Sequence, residues 1–585
     1  MQDFIHSIFD PINAVAWGWP ALIMVLGVGF FLMIGLKGMP FRRLGMALRL
    51  MVKGRVTEHG HKGELTPFRA LMTALAATIG TGNIAGVATA IFMGGPGAVF
   101  WMWCTALLGM ATKFSEVTLA VKFREVTPDG SYVGGPMYYI KNGLGAKWKW
   151  LAFLFACFGC IAGFGIGNTV QVNSIAGVLS SDFGVAPWVT GGVLLILVGL
   201  VVLGGVKRIG TVAGRLVPTM AFFYVIAAVI CMIIKIDEVP AAFFMIFHDA
   251  FNPSAVGGGV VGGSIMLAMR FGIARGVFSN EAGMGSSPIA HATAITNNPV
   301  RQGIIGMLGT FLDTIVVCSM TAIVILITGL WTQPPTVDAD KLSAYVSSYN
   351  RAIITPDNRL DVDATVQMLI SSGPGVLSKN AEFKPDNVRA YLEANRDELM
   401  GANGLDTLKL AEGMNATWIE YRNAGNRADA PVVAKEGAAL SSASFSDALP
   451  GNWGQYVVAV ALCLFAFTTI LGWCVYSERC AVYLFGHKAL KVFRIIYTLV
   501  VPVGAVATLD LVWLMADTFN GLMMLPNLIA LLLLSPVVFK LARDYFKIGE
   551  HATELEVSEL VTAADAVEDM EEVDFIDSDE DDNNK

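Results

Sequence analysis

The stretch ATIGTGNIAG, residues 77–86, decides the fold because it places helix-breaking residues inside a long apolar run. Gly80, Thr81, Gly82 and Asn83 are small or polar and lie near the middle of the apolar run 67–93. Non-helical backbone at mid-membrane depth is tolerated only where protein or a water-filled cavity satisfies its peptide groups. The stretch therefore predicts a discontinuous helix, provided that the chain crosses a membrane.

The composition indicates a membrane protein. Of 585 residues, 54% are hydrophobic and 15% charged, with a mean hydropathy of +0.59, whereas about a quarter of the residues in soluble domains are charged. The first 15 residues contain no Lys or Arg, so the first apolar run lacks the basic flank of a cleaved signal peptide and is expected to remain as a span. All eight cysteines lie in apolar runs or at their ends and predict no disulfide framework.

Apolar runs of about 20 residues predict eleven spanning helices. They lie within 15–36, 67–93, 97–121, 150–179, 187–206, 216–236, 257–289, 302–331, 453–476, 493–513 and 516–540. Short segments on one side of this pattern hold 24 Lys and Arg, against only Lys235 on the other. Because basic loops stay cytoplasmic, we expect an outside N-terminus and a cytoplasmic C-terminus in the plasma membrane, which for a bacterium is the inner membrane.

Two long polar segments interrupt the apolar pattern. Residues 332–452 are expected to form an extracytoplasmic inserted subdomain that the central site does not need. Residues 549–585 carry 15 acidic residues and one Lys, and without them the net charge is +6 rather than −8, which predicts a solvated cytoplasmic tail. Either segment is a candidate surface for a protein partner, and nothing suggests a nucleic acid partner.

A second interruption, GVFSNEAGMGSS at 276–287, lies in the seventh span. The two broken spans are five apart, and a unit of five helices has odd parity, so its second copy enters the membrane in the opposite sense. The sequence thus predicts an all-α polytopic protein with a 5+5 inverted repeat, spans 2–6 and 7–11, and a peripheral first span. A single GxG in a membrane helix is more often explained by close packing, but the pair of breaks favours a substrate site.

These boundaries divide the chain into six parts. They are an N-terminal helix with a basic cytoplasmic loop (1–64), the first repeat (65–240), the start of the second repeat (241–331), the inserted loop (332–452), the rest of the second repeat (453–548) and the acidic tail (549–585).

Eight stretches resemble the alanine or glycine:cation symporter family, the sodium:alanine symporters. They are TIGTGNIAGVATAI, GGPGAVFWMWCTALLGMATKFSE, YVGGPMYYI, GIGNTVQVNSIA, ARGVFSNEAGMGSSPIAHATA, FLDTIVVC, FAFTTILGWCVYSERC and ADTFNGLMMLPNLIALLLLS. The resemblance covers nearly all of 65–540 except the inserted loop. It implies a LeuT-type fold and Na⁺-coupled, less often H⁺-coupled, uptake of alanine, glycine or a similar small amino acid. The inserted loop and the acidic tail depart from the family.

The resemblance also implies the site. Its substrate residues would be Thr81, Gly82, Asn83, Asn168, Gln171, Ile175, Phe278, Asn280, Thr469 and Trp473. The coupling Na⁺ would be held by the carbonyls of Ala76, Ile79 and Phe465 and the hydroxyls of Thr468 and Thr469, with no organic cofactor. Two alternatives stay open: Asn168 and Gln171 could be a packing amide pair, and the two threonines could bond back to their own helix.

Charged residues also lie inside the predicted spans, and two other classes of protein remain to be considered. Arg275 is expected to pair with Glu281 or Asp313, with a role of these charges in gating as the open alternative. Lys113 and Glu116 are expected to form a simple i, i+3 helix pair. A channel would need a continuous polar lining, whereas polarity here is concentrated at two breaks. A membrane enzyme would need a catalytic or metal cluster, but the seven histidines are scattered, so no enzymatic activity is expected.

Overall fold

A computed structural model describes most of the chain. The described residues are 2–56, 62–252, 261–332, 437–451, 453–507 and 509–547, with the short pieces 360–365, 389, 392–395, 399–401, 404–405 and 409–410. Most of the inserted loop and the acidic tail lie outside them.

The described residues are predominantly helical. The α-helices are α1 Gln2–Ala16, α2 Trp19–Gly35, α3 Met39–Arg42, α4 Leu44–Lys53, α5 Pro67–Thr78, α6 Val87–Gly94, α7 Gly97–Lys122, α8 Pro136–Gly143, α9 Lys149–Phe164, α10 Val170–Phe183, α11 Pro187–Val202, α12 Gly205–Ile234, α13 Val239–Asp249, α14 Val261–Asn280, α15 Ser287–His291, α16 Pro299–Thr310, α17 Ser319–Thr328, α18 Gly437–Ala448, α19 Trp453–Phe485, α20 Ala489–Val506 and α21 Leu509–Lys547. Two small antiparallel pairs join Glu125–Val126 to Tyr132–Val133 and Met400–Gly401 to Gly404–Leu405.

Eight helices in the described residues are long and apolar enough to cross a membrane, or nine if α5 and the bent segment after it count as one span. The predicted count of eleven is therefore not confirmed. The fifth predicted span is the 16-residue helix α11, about 24 Å long at 1.5 Å per residue. The seventh is α14, which ends at the second break. The inverted repeat stays a prediction.

The predicted discontinuity in the second span is confirmed. Helix α5 begins at Pro67, where the Thr66 hydroxyl accepts a hydrogen bond from the Arg69 amide at 3.2 Å, and it ends at Thr78. Ile79 is extended, and the chain resumes as a π-helix over Gly82–Gly86 that leads into α6. The segments Pro67–Thr78 and Gly82–Gly94 differ in direction by 53°.

The second break separates α14 from α15. Glu281, Gly283 and Gly285 have φ values of 56°, 90° and 79°, a left-handed conformation that glycine adopts readily and glutamate does not. A Cβ atom on Gly285 would lie 2.5 Å from Pro136 Cγ and 2.9 Å from Asn527 Cγ. Glycine is thus required at 285 both for the backbone angle and for space.

A close glycine contact positions α19 against the first break. A Cβ atom on Gly472 would lie 2.6 Å from the backbone nitrogen of Ala77, so the two helices approach to backbone distance, as small residues allow in membrane proteins. This contact brings the preceding turn of α19, with Thr469, to the end of α5.

The end of the inserted loop belongs to the helical body. In α18 the buried Ser441 hydroxyl donates to the Ile84 carbonyl at 2.9 Å, inside the first break. The Phe445 ring is buried, with its centroid 5.6 Å from that of Tyr224. Helix α18 thus contacts the first break, while the expectation that the central site does not need 332–452 stays a prediction.

Candidate functional site

The Thr469 hydroxyl lies among carbonyl oxygens of two helices. Its Oγ1 atom is 3.1 Å from the Ala76 carbonyl, 3.4 Å from that of Ile79 and 3.0 Å from that of Phe465. Helix α5 ends at Thr78, so carbonyls in its last turn lose their helical partners. One hydroxyl proton can satisfy only one of these oxygens well. The remaining negative potential suits a small monovalent cation, and unwound carbonyls of broken helices can coordinate Na⁺.

Thr468 lies at the edge of this oxygen cluster. Its hydroxyl donates to the Phe465 carbonyl at 2.9 Å and lies 3.6 Å from the Met220 sulfur. Both threonines therefore do bond back to their own helix through Phe465. Only Thr469 also reaches the end of α5.

The first break, Gln171 and Thr469 are adjacent. The Gln171 Oε1 atom lies 3.4 Å from the Thr81 amide nitrogen, and a Cβ atom on Gly80 would lie 2.4 Å from Thr469 Oγ1. Phe278, which precedes the second break, packs against the first break, since a Cβ atom on Gly82 would lie 3.3 Å from its ring. The Thr81 hydroxyl is fully buried and has no hydrogen-bond partner among the described residues. A buried unpaired hydroxyl costs free energy, so this atom is available to a ligand.

The side chains of Asn83 and Asn280 are engaged within the protein. Asn83 Oδ1 accepts from the Gly80 amide at 2.8 Å, and its Nδ2 donates to Asp313 Oδ1 at 2.7 Å. Asn280 Nδ2 donates to the Thr314 hydroxyl at 3.2 Å, and its Oδ1 accepts from the Ala282 amide at 2.9 Å. In this structure both amides stabilise the breaks.

Three predicted residues lie farther along the helices. Asn168 Nδ2 donates to the Tyr497 carbonyl at 2.7 Å, while its Oδ1 is buried without a described partner. Trp473 is buried and packs on Gly167, where an added Cβ would lie 2.3 Å from the Trp473 Cβ. Ile175 is buried in an apolar cluster that also contains Ile470.

Asp313 links the two breaks, a role that the sequence did not reveal. Besides the bond from Asn83, its Oδ2 accepts from the hydroxyls of Ser279 and Thr314, both at 2.8 Å. Arg275 does not pair with Asp313 or Glu281 as expected, because its Nη1 lies 3.9 Å from Asp517 Oδ2. The acidic residue in FLDTIVVC was the available signal, but Asn83 and Ser279 lie 230 and 34 positions away in the sequence.

Glu116 and Lys113 are more than a simple helix pair. Glu116 Oε1 accepts from the amides of Gly283 and Gly285, at 3.0 and 3.1 Å, and from Asn527 Nδ2 at 2.7 Å. Lys113 Nζ lies 3.8 Å from Glu116 Oε2 and donates to the Glu281 carbonyl at 3.1 Å. Both side chains are fully buried, so this pair holds the backbone of the second break.

Three π-helical segments near the site were also missed. They are Gly82–Gly86, Gly165–Thr169 and Phe311–Cys318. Such segments often accompany functional sites because they shift the helical register and redirect side chains. Apolar periodicity carries no signal for them.

Several spanning helices and a buried polar site between two broken ones define a membrane transport protein of the secondary transporter type. The chain belongs to the sodium:alanine symporter family, whose family model matches residues 2–354 and 419–559. It is thus a transporter rather than an enzyme. The unmatched parts, 355–418 and 560–585, fall in the inserted loop and in the acidic tail.

Relatives in this family share most of their length with the chain. An uncharacterized transporter of Haemophilus influenzae is 41% identical over 544 residues, 93% of this chain and 96% of its own. The sodium/alanine symporter AgcS of Methanococcus maripaludis is 40% identical over 552 residues, 94% and 99% of the two chains. The Bacillus subtilis protein named "Probable sodium/glutamine symporter GlnT" is 31% identical over 547 residues, 93% and 91%.

Among solved structures, a manganese transporter of Eremococcus coleocola aligns with 81% of this chain and 94% of its own, at 12% identity and a TM-score of 0.32. A likeness at this level supports no conclusion about the site.

Proposed function

We propose that this chain is a symporter that couples Na⁺ to the uptake of small neutral amino acids, alanine and glycine foremost, by alternating access. The observation that carries the proposal is the cluster of Thr469 Oγ1 with the carbonyls of Ala76, Ile79 and Phe465 beside the first break. The family and the sodium/alanine symporter among the relatives support the same cation and substrate class.

The broken helix offers both halves of a zwitterion site. The backbone amides at Thr81 and Gly82, at the start of the second helical half, attract a carboxylate, and the unpaired Thr81 hydroxyl adds a donor. Gln171 and Thr469 complete the polar side. The other predicted residues then line or support the pocket: Asn83, Asn168, Ile175, Phe278, Asn280 and Trp473.

The cation site fits Na⁺ because it holds neutral oxygens only. Thr469 Oγ1 and three carbonyls converge, and Thr468 contributes from its edge through Phe465. No carboxylate lies among these predicted ligands, which suits a monovalent ion that has to leave again on the other side.

Alternating access would use the predicted LeuT-type 5+5 repeat, with the two breaks near its midplane. The predicted placement has the N-terminus outside and the C-terminus inside a plasma membrane. Under this topology the site faces the outside before uptake and the cytoplasm after it.

A second candidate is coupling to H⁺. Glu116, Glu281 and Asp313 are all buried around the second break, where a carboxylate could carry a proton. A Bacillus subtilis relative, 34% identical, is named "Putative sodium/proton-dependent alanine carrier protein YrbD". The cation experiment below separates the two candidates.

Uptake of alanine into proteoliposomes tests the function. We expect labelled alanine to accumulate with an inward Na⁺ gradient and faster with an inside-negative potential, because Na⁺ and a zwitterion together carry net positive charge. Counterflow of labelled alanine distinguishes a carrier from a channel. Equal uptake with choline in place of Na⁺ and an imposed proton gradient would reject Na⁺ coupling in favour of H⁺.

Substrate size should depend on Trp473. Replacing it with leucine is expected to admit larger amino acids such as glutamine or leucine, because the indole is buried between Gly167 and Tyr476. Small differences in pocket volume change specificity by about 10- to 200-fold. Competition of unlabelled amino acids against alanine uptake measures the change, with Trp453→Leu, at a side chain that is 70% exposed, as the matched control. The same selectivity in both variants would count against an indole wall.

A further inference from the structure

We propose that the acidic tail, residues 549–585, docks into a basic pocket of the same chain at the predicted cytoplasmic face. The pocket has a volume of about 380 Å³. It lies where the segment before α5, the start of α12, the end of α19 and the start of α20 meet. Its lining includes the cationic residues Lys207, Arg479, Lys488, Lys491 and Arg494, together with Glu64, Asp129 and His487.

The two carboxylates of the pocket are already engaged. Glu64 Oε1 accepts from Arg479 Nη2 at 3.0 Å and from the Tyr132 amide at 2.7 Å. Partial burial opposes ionisation of Asp129, but hydrogen bonds from Thr127 and Ser131 and the nearby His487 lower its pKa to about 2. Asp129 is therefore charged at neutral pH, and both carboxylates already have partners within the pocket, so they do not neutralise its lysines.

Three lysines of the pocket, Lys207, Lys488 and Lys491, form no ion pair with any residue that the structure describes. Arg494 differs from them, because its Nε lies 2.6 Å from Glu478 Oε2. Arg479 is only 2% exposed, yet its Nε has no described partner. A buried guanidinium donor without a partner is costly, and Arg479 is among the residues that line the pocket. The pocket thus presents an excess of cationic donors to an anionic ligand.

By the predicted topology, the tail begins on the same side of the membrane as the pocket. Helix α19 ends and α20 begins next to the pocket, and α21 ends at Lys547, which the predicted topology places on the same cytoplasmic side. The 38 residues after Lys547 can extend to about 125 Å at 3.3 Å per residue, so reach is not limiting. The tail also carries 15 acidic residues against one Lys, while the rest of the chain has a net charge of +6.

The strength of docking would come from the tether. A single exposed ion pair contributes only about 0–1 kcal/mol. A tethered ligand, however, has an effective concentration in the millimolar range, so several weak ion pairs are enough to hold the tail in the pocket. The family model ends at residue 559, so most of this ligand is a feature of this chain and not of the shared family sequence.

Docking would restrain the elements that meet at the pocket. If alternating access moves the segment before α5 relative to α12 and α19, a bound tail would oppose that motion and slow uptake. This consequence rests on the proposed function, whereas the docking itself does not.

A photocrosslink in the full chain tests the docking. Phe575 in the tail is replaced with p-benzoylphenylalanine, the protein is placed in vesicles of phosphatidylethanolamine and phosphatidylglycerol, and crosslinked peptides are identified by mass spectrometry. We expect crosslinks to 204–207 and 487–494. Their yield should fall between 0.1 and 1 M salt, because the Debye length shrinks from about 10 to 3 Å.

Two triple variants with equal charge change provide the comparison. The pocket triple should reduce the crosslink yield by about tenfold as several pairs are lost together, and the control triple should not. The pocket triple is Lys207→Gln, Lys488→Gln and Lys491→Gln, and the control triple is Lys53→Gln, Lys147→Gln and Lys149→Gln. All six lysines are exposed, and unchanged melting temperatures confirm that both variants fold.

Several outcomes would overturn the proposal. Crosslinks elsewhere, or equal yields in the two triples, would show that the tail does not occupy the pocket. Crosslinks that form only when phosphatidylcholine replaces phosphatidylglycerol would show that an anionic lipid headgroup occupies it instead. Faster alanine uptake in the pocket triple than in the control triple is expected, and equal rates would reject the restraint on transport. A specific crosslink in a protein that transports no alanine would reject the proposed function and leave the docking intact.

Discussion

Thr469→Val should raise the Na⁺ concentration that half-activates alanine uptake by about tenfold or more, because a charge-assisted oxygen contact contributes about 1.5–3 kcal/mol. Valine has nearly the shape of threonine, so the change removes one oxygen without opening space. That oxygen lies within 3.4 Å of three carbonyls from two helices. Loss of the hydroxyl removes the proposed Na⁺ ligand, which contacts carbonyls of both α5 and α19. The measurement is the initial uptake rate as a function of Na⁺ at saturating alanine.

Thr468→Val is the matched control, with the same atoms removed one residue away. Among the residues that the structure describes, its hydroxyl bonds to the Phe465 carbonyl and the Met220 sulfur but not to the end of α5, so we expect a smaller shift in the Na⁺ dependence. Stabilisation of the protein by Na⁺ against heat should follow the same order, which separates ion binding from transport rate. Equal shifts in the two variants, or an unchanged Na⁺ dependence in folded Thr469→Val, would reject the assignment of Thr469 to the ion.

The sequence located the two breaks because their signals are local. Gly80 to Asn83 and Glu281 to Gly285 combine glycine with polar residues inside apolar runs, and such residues have few other reasons to lie at that depth. The approach of Thr469 to Ala76 and Ile79 could be expected only from the resemblance. Those residues are about 390 positions apart, and periodicity carries no information at such a separation.

The charged residues show the limit of sequence analysis most clearly. Lys113 and Glu116 share a helix face, so their pairing could be predicted from an i, i+3 spacing. The bonds of Glu116 to Gly283 and Asn527 span 167 and 411 positions and depend on how α7, α14 and α21 pack. Arg275 illustrates the same difficulty. Its acidic partner is Asp517 on α21, not one of the acidic residues that lie nearer to it in the sequence.

The second large effect is expected at Glu116. Glu116→Ala should lower the free energy of unfolding by about 3–5 kcal/mol, because it leaves a buried lysine and several donors without their acceptor. Glu116→Gln keeps a side-chain oxygen that can accept from Gly283, Gly285 and Asn527 but loses the charge beside Lys113. It should therefore be less destabilising than the alanine variant. Thermal unfolding of purified protein, followed by intrinsic fluorescence, measures the order.

A double variant separates two roles of the Glu116 carboxylate: it accepts hydrogen bonds, and it neutralises Lys113. In the double variant Glu116→Gln with Lys113→Met no unpaired charge remains buried. The decrease in the free energy of unfolding should therefore be smaller than the sum of the decreases in the two single variants, as for contacting residues in general. The double variant also loses the hydrogen bond from Lys113 to the Glu281 carbonyl, which supports the left-handed backbone at Glu281. Its stability should therefore not return fully to that of the wild type. Additive losses would show that Lys113 and Glu116 act separately. A wild-type melting temperature in Glu116→Ala would show that the second break does not depend on this carboxylate at all.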